Sequence, residues 1–278
     1  MMEIISLGLG VQSTALYLMS SMGQIPRADY AIFADTGKEG SGTYKYMNFL
    51  QQWQAKNNGI PLIVCQDKNL YADLLDKERS NRFSSIPAFT QSENGSVGML
   101  RRQCTAEYKI FVVDNYIRDH IYQIPKGTQR PRTGLWHGIT LDEVERMSLP
   151  HEAWKVNTYP FLGQLSRKNG ETSPISWSRP MSRQDVIRWY VLHELPIPPK
   201  SSCVFCPYQS DHSWAMKKIN EPDDFAAAVK VDEAIRNSTA KGINNPVYLH
   251  RSCRPLAQVV FDTGQKEEWG ECSGNCHV

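Results

Sequence analysis

The first third of the chain alternates short apolar runs with longer stretches whose apolar residues recur at helical spacing. Residues 3–7 (Glu-Ile-Ile-Ser-Leu) make a run of buried-strand length. From 13 to 22, Ala15, Leu16 and Met19 fall on one helical face. Residues 30–34 (Tyr-Ala-Ile-Phe-Ala) predict a second strand, ending at Asp35. Residues 43–56 predict an amphipathic helix through Tyr46, Met47, Leu50 and Trp53, and 61–65 a third strand. Strand, helix, strand, helix, strand at this spacing predicts a parallel sheet with crossover helices.

Further along the pattern loosens. Residues 79–101 are rich in Ser, Asn and Gly and read as a mobile loop over a site. Residues 106–122 predict a helix and 132–139 a strand, with Asp142, Glu143 and Arg146 in the turn and helix after it. Residues 163–181 carry Gly, Ser, Asn and Pro and read as a long loop or boundary. Helices are predicted over 182–195 and 221–235, and the last forty residues carry little helical signal. The fold expected is α/β: a Rossmann-like parallel sheet with flanking helices over residues 1–165. A smaller, helical, cysteine-bearing region follows over 166–278.

Composition changes this picture little. A 41% hydrophobic and 22% charged share over 278 residues is that of a globular protein and excludes wholesale disorder. A net charge of +2 lacks the basic excess of a dedicated nucleic-acid binder, leaving such contacts to local patches at Arg101-Arg102 or residues 126–132. No apolar run reaches the roughly 18–20 residues that span a bilayer, and the first residues lack a signal-peptide pattern. The expectation is a cytoplasmic protein with no membrane partner.

Two segments suit a nucleotide phosphate site. Gly8-Leu9-Gly10-Val11-Gln12-Ser13-Thr14 turns from the first strand into the first helix. Gly8 and Gly10 let the backbone approach an anion, while Ser13 and Thr14 bring hydroxyls to the positive end of a helix dipole. Asp35-Thr36-Gly37 ends the second strand, where an acid can meet Mg²⁺ or bond a ribose or adenine edge. Asp-Thr-Gly is equally the pattern of a helix start with a turn glycine.

The seven cysteines suggest metal or redox chemistry, because 203/206 and 272/276 are close pairs in an odd total. Cys203-Val204-Phe205-Cys206-Pro207 puts two thiolates on one turn, suited to zinc, an iron–sulfur cluster or dithiol chemistry. Lys200 just before it could lower the thiol pKa values. Cys65 ends an apolar strand and reads as core, whereas Cys253 has basic neighbours. His137 and the tryptophans 177, 189 and 214 read first as structural residues.

In combination these segments resemble the phosphoadenosine phosphosulfate (PAPS) reductase-like branch of the adenine-nucleotide α-hydrolases. The first turn is similar to that superfamily's pyrophosphate loop, Ser-Gly-Gly-x-Asp-Ser, with Gly8, Leu9 and Gln12 as departures. The segment from Phe33 to Glu39, with Thr43-Tyr44, resembles the branch's next motif. Arg102-Gln103-Cys104-Thr105 with Lys109 resembles its cysteine segment, and Gly138 to Arg146 its later phosphate-contacting segment. The resemblance implies an adenine nucleotide such as ATP, with Mg²⁺, held by Gly8, Gly10, Gln12, Ser13, Thr14, Asp35, Thr36, Gly37, Lys109, Gly138 and Arg146. It also implies a [4Fe–4S] cluster, or zinc, on Cys104, Cys203 and Cys206, either with one iron left open or with Cys272 or Cys276 as a fourth ligand.

Three functions follow from this resemblance. The leading one is ATP-dependent sulfur transfer to an adenylated acceptor, with a nucleic acid as candidate acceptor and a sulfur- or electron-donor protein as partner. The second is a sulfonucleotide reductase releasing sulfite, with Cys272 or Cys276 as nucleophile, since the tail loosely resembles the Glu-Cys-Gly-x-His ending of those enzymes. The third is a non-catalytic, metal-stapled nucleic-acid-binding or regulatory protein.

Overall fold

A computed structural model of the chain describes residues 1–76, 86–238 and 243–264. Strand β1 (Met2–Ser6) leads into helix α1 (Val11–Ser21), β2 (Tyr30–Ala34) into α2 (Ser41–Asn57), and β3 (Leu62–Cys65) into the short α3 (Leu70–Leu75). The antiparallel pair β4 (Phe89–Gln91) and β5 (Val97–Met99) comes next. A continuous helical stretch follows, α4 (Phe111–Tyr116) flanked by π-helical turns at Ala106–Ile110 and Ile117–Ile121. Then come β6 (Thr133–Trp136), a 3-10 segment (Leu141–Arg146), β7 (Lys155–Tyr159), β8 (Gln164–Arg167) and β9 (Thr172–Pro174). Helices α5 (Arg183–Leu192), α6 (Asp211–Asn220) and α7 (Pro222–Ile235) and strand β10 (Val247–Tyr248) follow.

Seven strands form one sheet in the order β3-β2-β1-β6-β7-β8-β9. The first five are parallel; β8 and β9 add antiparallel at the edge. This is the Rossmann-like α/β architecture that the sequence pattern predicts. Both faces are covered, so adjacent strand residues are buried on opposite sides. Ile5, Phe33 and Trp136 join the core under α1, α2 and α5, while Ile4, Ile32 and Leu135 join the one under α4.

A third core gathers α3, α6, α7 and β10 around Phe205, Trp214 and Val231. It is stitched to the sheet at the loop after β2: Gly40 N–H donates to the Ser202 carbonyl (3.1 Å) and Val204 N–H to that of Lys38 (3.1 Å). Helix α2 has no cap of its own at Gly40, and Asp224 on α7 accepts from Ser41 N–H at 2.7 Å instead.

Several sequence expectations change. The β8–β9 hairpin occupies much of the long loop expected over 163–181, and β8 crosses residue 165, so the sheet does not end there. Helix α5 packs into the core with α1 through Val186, Trp189 and Tyr190. The loop expected over 79–101 contains β4 and β5; its residues 79–85 lie outside the described ones. Helix α6 is an element the apolar pattern did not announce. No helix among the described residues is long and apolar enough to cross a membrane.

Candidate functional site

The chain runs outward from β1 through β2 to β3, then returns to the other side of β1 as β6. Strand order therefore reverses between β1 and β6, the place where open α/β sheets form a ligand crevice. The turn after β1 and the turn after β6 meet there closely. A Cβ on Gly138 would lie 2.6 Å from Ser13 N and 2.8 Å from the Gln12 carbonyl carbon, so only glycine fits. Gly138, expected to touch the nucleotide, is the residue that lets the two turns close.

In the first turn the left-handed residue is Leu9 (φ +57°), with its side chain 1% exposed. A left-handed leucine costs roughly 1–2 kcal/mol, and burying its side chain holds it there. Gly10 enters α1 extended, with no side-chain cap, leaving first-turn N–H groups to a ligand. Ser13 Oγ accepts from Gly8 N–H at 3.1 Å. Thr14 sits apart from these, fully buried within α1, with Tyr190 as neighbour.

Gln12 is buried in a network that sequence reasoning did not anticipate. Its Nε2 donates to Glu143 Oε2 (3.1 Å), and its Oε1 accepts from Arg183 Nη1 (3.2 Å). Arg146 Nη1 donates to Glu143 Oε1 at 2.6 Å. An amide can bond both an acid and a cation, which an aspartate at this position could not do. Asp142 accepts from the Arg183 backbone N–H, so this wall of the crevice sets two acids against two guanidiniums.

Beneath the crevice a cleft opens between the sheet and the helical stretch around α4. Ile4, Phe33 and Leu135 floor it, and His137, Asn157 and Lys109 bring polar groups. Burial drives the His137 pKa down to about 4, so its ring is neutral. Asn157 is the polar side chain beside the ring, and the ring stacks on Tyr159 at 5.4 Å. Deeper in, Lys155 Nζ pairs with Asp114 Oδ2 at 2.6 Å.

Asp35 Oδ1 accepts from Gly37 N–H (2.8 Å) and the Tyr44 hydroxyl (2.9 Å). Gly37 is left-handed (φ +96°), and a Cβ there would strike the Asn69 side chain. Thr36 turns the other way. Its Oγ1 donates to Glu39 Oε1 (2.8 Å) and lies 3.0 Å from Cys203 Sγ.

Cys104, Cys203 and Cys206 line one pocket, together with Thr36, Arg102 and Lys109. The Cys203–Cys206 turn closes with a Cys206 N–H to Cys203 carbonyl bond of 3.0 Å. Val204 and Phe205 between them are buried anchors in the third core. Lys217 on α6 braces the turn from behind, donating to the Val204 carbonyl at 2.7 Å. Burial lowers the Lys217 pKa to about 8.

Glu39 is 0% exposed at the back of this site. Its Oε1 lies 3.8 Å from Lys109 Nζ and 3.6 Å from Cys203 Sγ, while Oε2 has no partner among the described residues. Burial first, then the Glu39 charge, pushes the Cys203 thiol well above its ordinary pKa. The three thiols are donors of the soft kind that iron–sulfur clusters and zinc select, and they share one wall. Among the described residues no three His, Cys, Asp or Glu groups are already drawn together as a metal cage. Cys272 and Cys276 lie outside the described residues. Cys65 is buried in the core, where burial raises its pKa to about 12.

Glu39, Glu143, Arg183 and Lys217 are the site residues that sequence reasoning missed. Glu39 and Glu143 had a signal, each lying inside a motif-like segment, whereas Arg183 and Lys217 reach the site only through the folded chain. Searched against models of known families and against curated proteins, the chain matches none.

Proposed function

We propose that the chain is an ATP-dependent sulfur-transfer enzyme of the thiolation type, related to the PAPS reductase-like enzymes. The observation that carries this reading is a shared wall: Thr105 and Lys109 line both the cleft beneath the crevice and the three-cysteine pocket. A nucleotide-activated acceptor and a sulfur site would then be adjacent.

In this reading the first-turn N–H groups of α1 meet the phosphates of ATP, and Asp35 presents its second carboxylate oxygen to Mg²⁺. Lys109 and the arginines beside Gln12 offset negative charge as pyrophosphate departs. An acceptor oxygen attacks the α-phosphorus and pyrophosphate leaves; sulfur from a donor then displaces AMP. Cys104, Cys203 and Cys206 would hold the [4Fe–4S] cluster, which when bound supplies sulfur storage or electron transfer. As a ligand Cys203 would be a thiolate, and Glu39 stands within 3.6 Å of its sulfur to take the proton.

The test is titration of anaerobically purified protein with ATP and Mg²⁺, alongside iron and acid-labile sulfide analysis. Wild type is expected to bind ATP and contain iron and sulfide. Lys109→Ala should weaken ATP binding about tenfold, the cost of one charge-assisted contact, and Cys203→Ala should lose iron and sulfide. Protein that binds no adenine nucleotide and holds no sulfide would overturn the reading.

A further inference from the structure

A groove of about 790 Å³ runs along the outer side of α4, sharing only Asp114 with the cleft described above. Lys68, Arg118, Lys126, Arg130 and Arg132 line it, against the acids Asp114 and Glu152. Asp119 pairs with Arg118 at 2.5 Å, so five cations meet three acids and the groove carries a net +2. Asp114 is moreover already neutralised by Lys155. Lys68, Lys126 and Arg132 are exposed, so their charge faces solvent.

Two aromatic rings stand among these cations. Phe111 is 52% exposed, an unusual position for a phenyl ring on a soluble helix. Arg130 lies over the Trp154 ring at 4.8 Å, and Lys155 Nζ lies over the same ring at 5.1 Å. Cations that track phosphates, set beside an exposed phenyl ring and a guanidinium over an indole, are the design by which proteins hold unpaired nucleotides. A free phosphate would have no use for the rings, and a duplex would hide the base faces they need.

We propose that this groove binds single-stranded nucleic acid. Its phosphates run past Lys126, Arg132 and Lys68, and its bases stack on Phe111 and the Arg130–Trp154 pair. Nothing in this assignment depends on ATP, so binding is measured without nucleotide and its failure leaves the ATP reading standing.

The experiment is fluorescence anisotropy of the full chain with labelled twelve-nucleotide dT and rU strands across a salt series. Wild type is expected to bind at low salt, and the two strands show whether the sugar matters. The double variant Lys126→Glu/Arg132→Glu should weaken binding at least tenfold. Losing two phosphate contacts should also flatten the log–log salt slope by about 1.4. Phe111→Ala should weaken binding about tenfold with the slope unchanged. Lys168→Glu/Lys230→Glu, the same charge change on exposed sites outside the groove, should leave binding within twofold of wild type. No binding by wild type, or equal losses for the two double variants, would overturn the proposal.

Discussion

His137 holds its imidazole neutral and buried against Tyr159, beside Asn157. Its pKa is lowered from 6.5 to about 4, so the unfolded chain takes up this proton first as the pH falls. The contribution to stability is therefore complete above pH 6.5 and lost between there and about pH 4. The full loss is about 3 kcal/mol. Urea unfolding at about pH 7 and pH 4.5 should show most of it in wild type, and His137→Phe should lack that component. Equal acid losses in both proteins would contradict the account. Single residues were unevenly legible from sequence. Asp35, Thr36, Lys109 and the cysteines 104, 203 and 206 sit at the ends of predicted elements or in close pairs, which bring them to the site by construction. Gly138 lies where two turns meet closely, and from sequence a close backbone approach and a ligand contact both select glycine.

At the level of elements, the buried pair Lys155–Asp114 fastens the helical stretch around α4 to strand β7. Burial raises the Asp114 pKa even with Lys155 beside it, a sign of how dry this joint is. Removing the cation alone strands a carboxylate indoors. Lys155→Ala should cost about 3–5 kcal/mol, while Asp114→Leu with Lys155→Met should restore most of it. Chemical denaturation of the three proteins checks this, and a loss below about 1 kcal/mol in Lys155→Ala would refute it. Strand β2 was legible because a strand buried on both faces reads as a continuous apolar run, and β3 reads as one although it lies at the sheet edge with Val64 exposed. The β8–β9 hairpin was not: Gln164, Arg167 and Thr172 have polar side chains at an edge, a pattern shared with loops.

For the molecule as a whole, the cysteine-bearing region and the sheet are joined by backbone bonds, by Thr36 and Glu39 at Cys203, by the packing of α5 and by a borrowed cap. Asp224 completes the N-terminus of α2 from 183 residues away, supported by Lys38 at 3.9 Å. Asp224→Ala should lower stability by about 1–2 kcal/mol in urea unfolding, the cost of an N-cap. A change under about 0.3 kcal/mol would mean the cap contributes nothing. No local pattern could have shown this, since the sequence at Gly40 displays only a missing cap. The same holds for Gln12, whose partners Glu143 and Arg183 converge only when the sheet has formed.

Leu9 gives the first turn a property that a glycine would not. A glycine turn samples many shapes when empty and must be ordered by whatever arrives. Here a side chain rooted in the core keeps the backbone in one left-handed shape throughout. An anion meeting this turn finds the N–H groups already aimed, so little of its binding free energy goes into ordering the loop. The chain has moved that expense from the moment of capture to the moment of folding.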